Sequence, residues 1–164
     1  MKQQGQRGVA AVEMAIVLIP MLVLCFGVLE IGRALYLYNG LVKSTRTAVR
    51  YLTAQSLESP PAGETAASIR LKARSLAVCG ATDCATAAQP LVPGLALEHV
   101  QVCDPVGCPA THRNVSTGQG TANLVTVTIG GSGATPFAFE SLSPWLIPHL
   151  TFPPVSTTMV SQFF

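Results

Sequence analysis

The chain has 164 residues, enough for one small domain with an appendage, and its formal net charge is +2. Hydrophobic residues make up 49% and charged residues only 11%, well short of the charge on a typical soluble protein. Six of the ten basic residues fall between Lys2 and Arg50 and the other four are scattered, so no basic block mixed with aromatics marks a nucleic-acid interface.

The apolar excess is local. From Val9 to Leu29 there are 21 residues, and Glu13 is the only charged one. As a helix rising ~1.5 Å per residue this run covers about 31 Å, the thickness of a bilayer's hydrocarbon core. Lys2 and Arg7 precede it with no acid between them, which places the N-terminus on the cytoplasmic side and the rest of the chain outside. A secretory signal peptide has a shorter core and ends in small residues. This run ends Leu29-Glu30-Ile31-Gly32-Arg33, so it reads as a retained anchor.

Past Gly32, residues Leu35, Tyr38, Leu41, Val42, Thr45, Val49 and Leu52 recur at spacings of three and four, with Lys43, Arg46 and Arg50 off the stripe. The pattern predicts one continuous helix from about Val9 to Ala54, in lipid over 9–29 and amphipathic over 30–58. Pro20 removes one hydrogen bond and predicts a kink. Pro60-Pro61 marks the boundary to an outer domain over 59–164.

In that domain Glu64 to Val78 reads as a second helix, with Ala66, Ile69, Ala73 and Leu76 on one face, Arg70, Lys72 and Arg74 on its polar side, and Gly80 as its stop. "LEHVQV", "NLVTVTI" and "TTMVSQFF" read as strands, and "GGSG" at 130–133 as a turn. The Pro-rich and aromatic stretch over 136–154 reads as irregular structure. The class is α+β, a small antiparallel sheet against one or two helices, with no internal repeat.

Cys25 lies inside the apolar run and reads as a packing residue. The other four cysteines form two equally spaced pairs, Cys79 with Cys84 and Cys103 with Cys108. In a small extracytoplasmic domain an even number of cysteines points to disulfides, either within each pair or crossed between them. A zinc site would use shorter spacings. His99, His112 and His149 stand apart, and no nucleophile elbow or phosphate loop is present, so nothing identifies an enzyme or a cofactor. The carboxylates Glu58, Glu64, Asp83, Glu98, Asp104 and Glu140 read as solvated. "NVS" at Asn114 matches a glycosylation acceptor, a frequent chance match.

Glu13 has two readings. As a plain acid a turn inside the boundary it snorkels to the headgroups, at much less than the ~2.5–3.5 kcal/mol assigned to a charge at mid-helix. Its surroundings point elsewhere. A basic leader, Gly8, four small apolar residues, Glu13 and a long apolar helix form the pattern of a type IV prepilin. The stretch "GVAAVEMAIVLIPMLVLCFGVLEIGRALY" followed by "TRTAVR" resembles the TadE-like family, minor pilins or pseudopilins of the tight-adherence (Flp-type) pilus. The matching positions are Gly8, Glu13, Pro20, the Glu30-Ile31-Gly32 triplet and Arg50, within the first fifty residues. Met14 stands where many prepilins carry an aromatic.

The resemblance implies that a prepilin peptidase cuts between Gly8 and Val9, removing the leader 1–8. It implies other pilins, pseudopilins and the pilus assembly machinery as partners, with Glu13, Pro20, Glu30, Gly32 and Arg50 serving assembly. The location implied is a bacterial inner membrane, with the outer domain periplasmic. The alternatives are an unprocessed bitopic protein with an extracytoplasmic binding domain and a membrane-anchored periplasmic enzyme.

Overall fold

The structure is a computed structural model that describes residues 6–85, 89–145 and 150–162. Most of the expected leader lies outside the described residues, as do His149 and the end of the C-terminal strand reading at Phe163 and Phe164. The fold is α+β: one long N-terminal apolar helix, then a short helix and small antiparallel sheets.

Helix α1 runs unbroken over Gln6–Thr53, 48 residues with Pro20 inside it. Proline lacks one backbone donor, which membrane helices tolerate. Arg50 lies in the last turn, where a cation complements the helix dipole. The chain divides into two compact units, Met1–Tyr36 with Phe139–Leu150 and Leu37–Ala138 with Thr151–Phe164.

In the second unit, the buried positions of α1 are Leu37, Leu41, Ser44, Thr45, Ala48, Val49, Leu52 and Thr53, one stripe at helical spacing. Lys43, Arg46 and Arg50 are exposed. Leu35, expected on the stripe, is exposed, and Tyr38 and Val42 are half-buried. The packed face keeps Leu41, Thr45, Val49 and Leu52 but is turned toward Leu37, Ser44 and Ala48, the last two small positions that hydrophobic spacing passes over.

Helix α2 covers Ala66–Cys79. Its start is set by a reciprocal cap: Thr65 Oγ1 accepts the Ser68 N–H at 3.1 Å, and Ser68 Oγ accepts the Thr65 N–H at 3.0 Å. Its end is set by Gly80, whose φ of 73° is the left-handed cap conformation and whose N–H donates to Leu76 O. Ile69, Ala73 and Ala77 are buried, and α2 packs against β1 (Val100–Cys103), which follows a 3₁₀ turn at Leu97–His99.

After the single turn α3 (Pro109–His112) and the ribbon of β2 (Val115–Ser116) with β3 (Thr121–Ala122), the chain forms β4 (Leu124–Ile129). In β4 Val125, Val127 and Ile129 are buried, and the residues between them are half-buried. This period of two is what a strand with one core face requires. It is the centre of a three-stranded antiparallel sheet, flanked by β1 and by β7 (Val155–Val160). Register puts Val127 opposite Val102 on one side and Thr157 on the other. Thr157 Oγ1 meets Thr45 Oγ1 of α1 at 2.9 Å, so a buried hydroxyl of the helix finds its partner on the sheet. Leu41, Leu52, Ile69, Val125, Val127 and Ile129 are essentially inaccessible, each worth about 1.5–3 kcal/mol of burial.

Gly130, with a φ of 71°, turns the chain off β4, and its N–H donates to His99 O at 2.9 Å. The stretch expected to be irregular contains two short strands, β5 (Ala138–Phe139) and β6 (Leu150–Thr151), which pair with each other. Two-residue strands are set by tertiary context and leave no periodicity to read. Beside them Phe137 stacks on Phe152 at 6.0 Å between centroids, and Tyr38 lies 5.9 Å from Phe152.

Candidate functional site

The residues expected to be processed all lie on α1. Val9 and Met14 are 60% and 69% exposed, Glu13 and Pro20 are exposed, and nothing lies within 4 Å of a Cβ built on Gly8. No residue from Val9 to Leu29 is buried. A helix of a water-soluble fold hides one apolar stripe, whereas this one is apolar all round and is partly covered only at Val23 and Gly27. It is compatible with a membrane anchor. Cys25, expected to be a packing residue, is a free, exposed cysteine in that run.

Glu30 ends the exposed stretch and is only 4% exposed. Its Oε1 accepts the backbone N–H groups of Leu142 at 2.7 Å and Ser143 at 3.1 Å, and its Oε2 lies 3.2 Å from the Arg33 guanidinium one turn on. Arg33 also donates to Glu140 O and lies 4.3 Å over the Phe139 ring. All of these residues belong to the first unit, where Glu30, the acid of the Glu-Ile-Gly triplet, and Arg33 form an intramolecular clamp on the segment 139–143. Gly32 has nothing within 4 Å of a Cβ built on it, and Arg50 points away from the core.

In the second unit the cysteines pair locally, Cys79 with Cys84 and Cys103 with Cys108, which resolves the choice left open between local and crossed bridges. The loop closed by the second bridge is organised by Asp104, which is fully buried. Its Oδ1 accepts the N–H groups of Val106 at 2.9 Å and Gly107 at 2.8 Å. Arg70 completes the set with Nε to Oδ2 at 2.5 Å and Nη2 to Oδ1 at 2.9 Å. Burial pushes the carboxyl pKa up, but the Arg70 hydrogen bonds and charge and the two loop N–H groups outweigh it and hold it below the usual range.

These contacts correct the reading of the charged residues. Asp104 is a buried structural anion and Glu64 is half-buried and bonded to Lys72 at 2.5 Å, whereas Glu58 is exposed, as expected, and pairs on the surface with Arg113 at 3.3 Å. Arg70 and Arg74 are half-buried instead of lying on a free polar face, and Arg74 donates to Leu97 O. For each of them a partner brought in from outside α2, Asp104 or Leu97 O, offsets the desolvation of the guanidinium.

Cys103, Cys108 and His112 bring ligand-type atoms within 4.8 Å of one another. The two sulfurs are bonded to each other, so the group offers no thiolate to a metal. His112 instead bonds Thr126 Oγ1 through Nε2 at 2.8 Å and Thr111 Oγ1 through Nδ1 at 2.7 Å. Burial lowers its pKa, opposed in part by the negative charge of Asp104.

Fold and helix together define a chain with one long apolar N-terminal helix carrying a small disulfide-braced α+β unit. The model of the TadE-like protein family matches residues 8–50, the same stretch that carries the sequence resemblance and about a quarter of the chain. No curated protein and no solved structure matches the chain.

Proposed function

We propose that the chain is a minor pilin or pseudopilin of the tight-adherence (Flp-type) pilus, a non-catalytic subunit that acts by helix packing. The observation that carries this reading is the TadE-like match over residues 8–50, falling on a helix that buries none of its apolar residues over 9–29. A prepilin peptidase of the inner membrane cuts between Gly8 and Val9, and the outer domain faces the periplasm. The partners are other pilins, pseudopilins and the assembly machinery.

Cleavage gives Glu13 its role. It creates an α-ammonium on Val9 at the membrane edge, and Glu13 is exposed with no partner among the described residues. Opposite unit charges 4 Å apart attract by about 4 kcal/mol at an effective dielectric of 20. Pairing Glu13 of one helix with the ammonium of a neighbour favours one stagger over the others and offsets the desolvation of both.

A photo-crosslinker at Met14 tests this in cells that build the pilus. The wild-type helix should give one set of pilin adducts that Glu13→Gln depletes strongly. Equal adducts from both proteins contradict the role of Glu13, and absence of pilin adducts from either contradicts the pilin reading.

A further inference from the structure

We propose that the segment Phe139–Trp145 is a membrane-interface anchor, which seats Leu142 and Trp145 in the headgroup layer at the outer end of the helix. The proposal rests on residues 9–29 spanning a membrane and adds a second point of contact with the lipid. Within the first unit, the segment is tied to the helix by the carboxylate of Glu30, the residue that directly follows the apolar run.

That tie fixes a height. The N–H groups of Leu142 and Ser143 hydrogen-bond Glu30, so their backbone lies level with the first polar residue above the hydrocarbon. Trp145 follows three residues later, within about 10 Å of chain from Leu142. The headgroup layer is itself about 5–8 Å deep on each side of the core.

The side chains present there suit that layer. Leu142 is 80% exposed and Trp145 is 70% exposed, although Phe139, in the same segment, is buried under Arg33. An indole has an apolar body and one N–H donor, and tryptophan concentrates at membrane–water boundaries for that reason. The Glu30 and Arg33 charges are largely consumed by each other and by backbone groups, and the one other charge in the segment, the exposed carboxylate of Glu140, suits the hydrated headgroup layer and not the hydrocarbon below it.

The chain contains one tryptophan and one free cysteine, which makes the test direct. The full chain is reconstituted in vesicles of zwitterionic and anionic phospholipid. Trp145 fluorescence is read with iodide in the water and with lipids brominated either high or low on the acyl chain. Cys25 is challenged in the same vesicles with a membrane-impermeant maleimide. The proposal expects blue-shifted emission, strong quenching by the shallow bromolipid, weak quenching by iodide and an unreactive Cys25. Glu30→Ala should then lose most of the bromolipid quenching while Cys25 stays protected.

If Cys25 is protected but iodide quenches Trp145 as it quenches free tryptophan, the anchor proposal is overturned and the membrane span stands. Blue-shifted emission that disappears on diluting the protein in lipid shows contact with a second protein copy and also overturns it. A reactive Cys25 removes the membrane span, and the proposal goes with it.

Discussion

Arg70 and Asp104 meet as a bidentate pair across 34 residues of sequence, with the carboxylate wholly buried in the Cys103–Cys108 loop. The pair joins α2 to the loop after β1, and two loop N–H groups complete the carboxylate's shell. Removing the cation alone leaves a buried anion, whereas the acid is surrounded by groups that all donate. Arg70→Ala should therefore cost about 3 kcal/mol, the lower end for breaking a buried pair because Arg70 keeps some contact with water. Arg70→Lys should recover only part of this, since an ammonium cannot reproduce the fork. Guanidinium unfolding of the full chain in detergent, followed by the near-ultraviolet signal, measures both.

The same pair sets an acid limit. A carboxyl whose folded pKa lies below its unfolded value contributes stability above about pH 4, and this is lost as pH falls through the folded pKa. His112 has the same sign by another route. Its folded pKa is depressed by burial, so its contribution is intact above about pH 6.5 and declines as the pH drops below that. Stability against pH should fall gently from about pH 6.5 and more steeply below about pH 4. Asp104→Asn should flatten the lower limb, and His112→Gln the upper one.

Each disulfide closes a short loop, with five positions separating its cysteines in sequence. Chain entropy then assigns each bridge about 2 kcal/mol. The double variant Cys103→Ser, Cys108→Ser should lose at least that much, because the loop also presents two N–H groups to Asp104. Peptide mapping without reduction should recover only the pairs 79–84 and 103–108, while a crossed bridge would contradict the structure.

Two helix glycines should respond oppositely to the same change. A Cβ on Gly40 would sit 2.9 Å from Cγ2 of Val92, a buried and rotationally stiff side chain. Gly40→Ala should destabilise by about 1–2 kcal/mol despite its better helix propensity. Gly32 faces open space, so Gly32→Ala should keep or raise thermal stability by up to about 1 kcal/mol. If Gly32 serves assembly, the alanine variant should be stable and still enter pili poorly.

Legibility followed the range of the interactions. The α1 stripe and the alternation in β4 are local periodicities: β4 buries Val125, Val127 and Ile129 as the alternation requires, while the expected stripe matches the buried one at Leu41, Thr45, Val49 and Leu52 but misses Leu37, Ser44 and Ala48. The stop at Gly80 was equally plain because it is one backbone conformation at one residue. The burial of Asp104 was not, because its cation lies on another element and a lone acid between two cysteines looks like a turn residue. Glu30 was singled out by resemblance alone. Its buried clamp depends on N–H groups more than a hundred residues away, a pairing without sequence signal.

Intact mass and N-terminal sequencing of the protein from native membranes, beside a Gly8→Ala variant, test the central claim most directly. The account predicts a mature chain beginning at Val9, with the variant remaining uncut. A wild-type chain that still begins at Met1, in cells with an active prepilin peptidase, would contradict it and leave Glu13 as a snorkelling acid on an ordinary anchor.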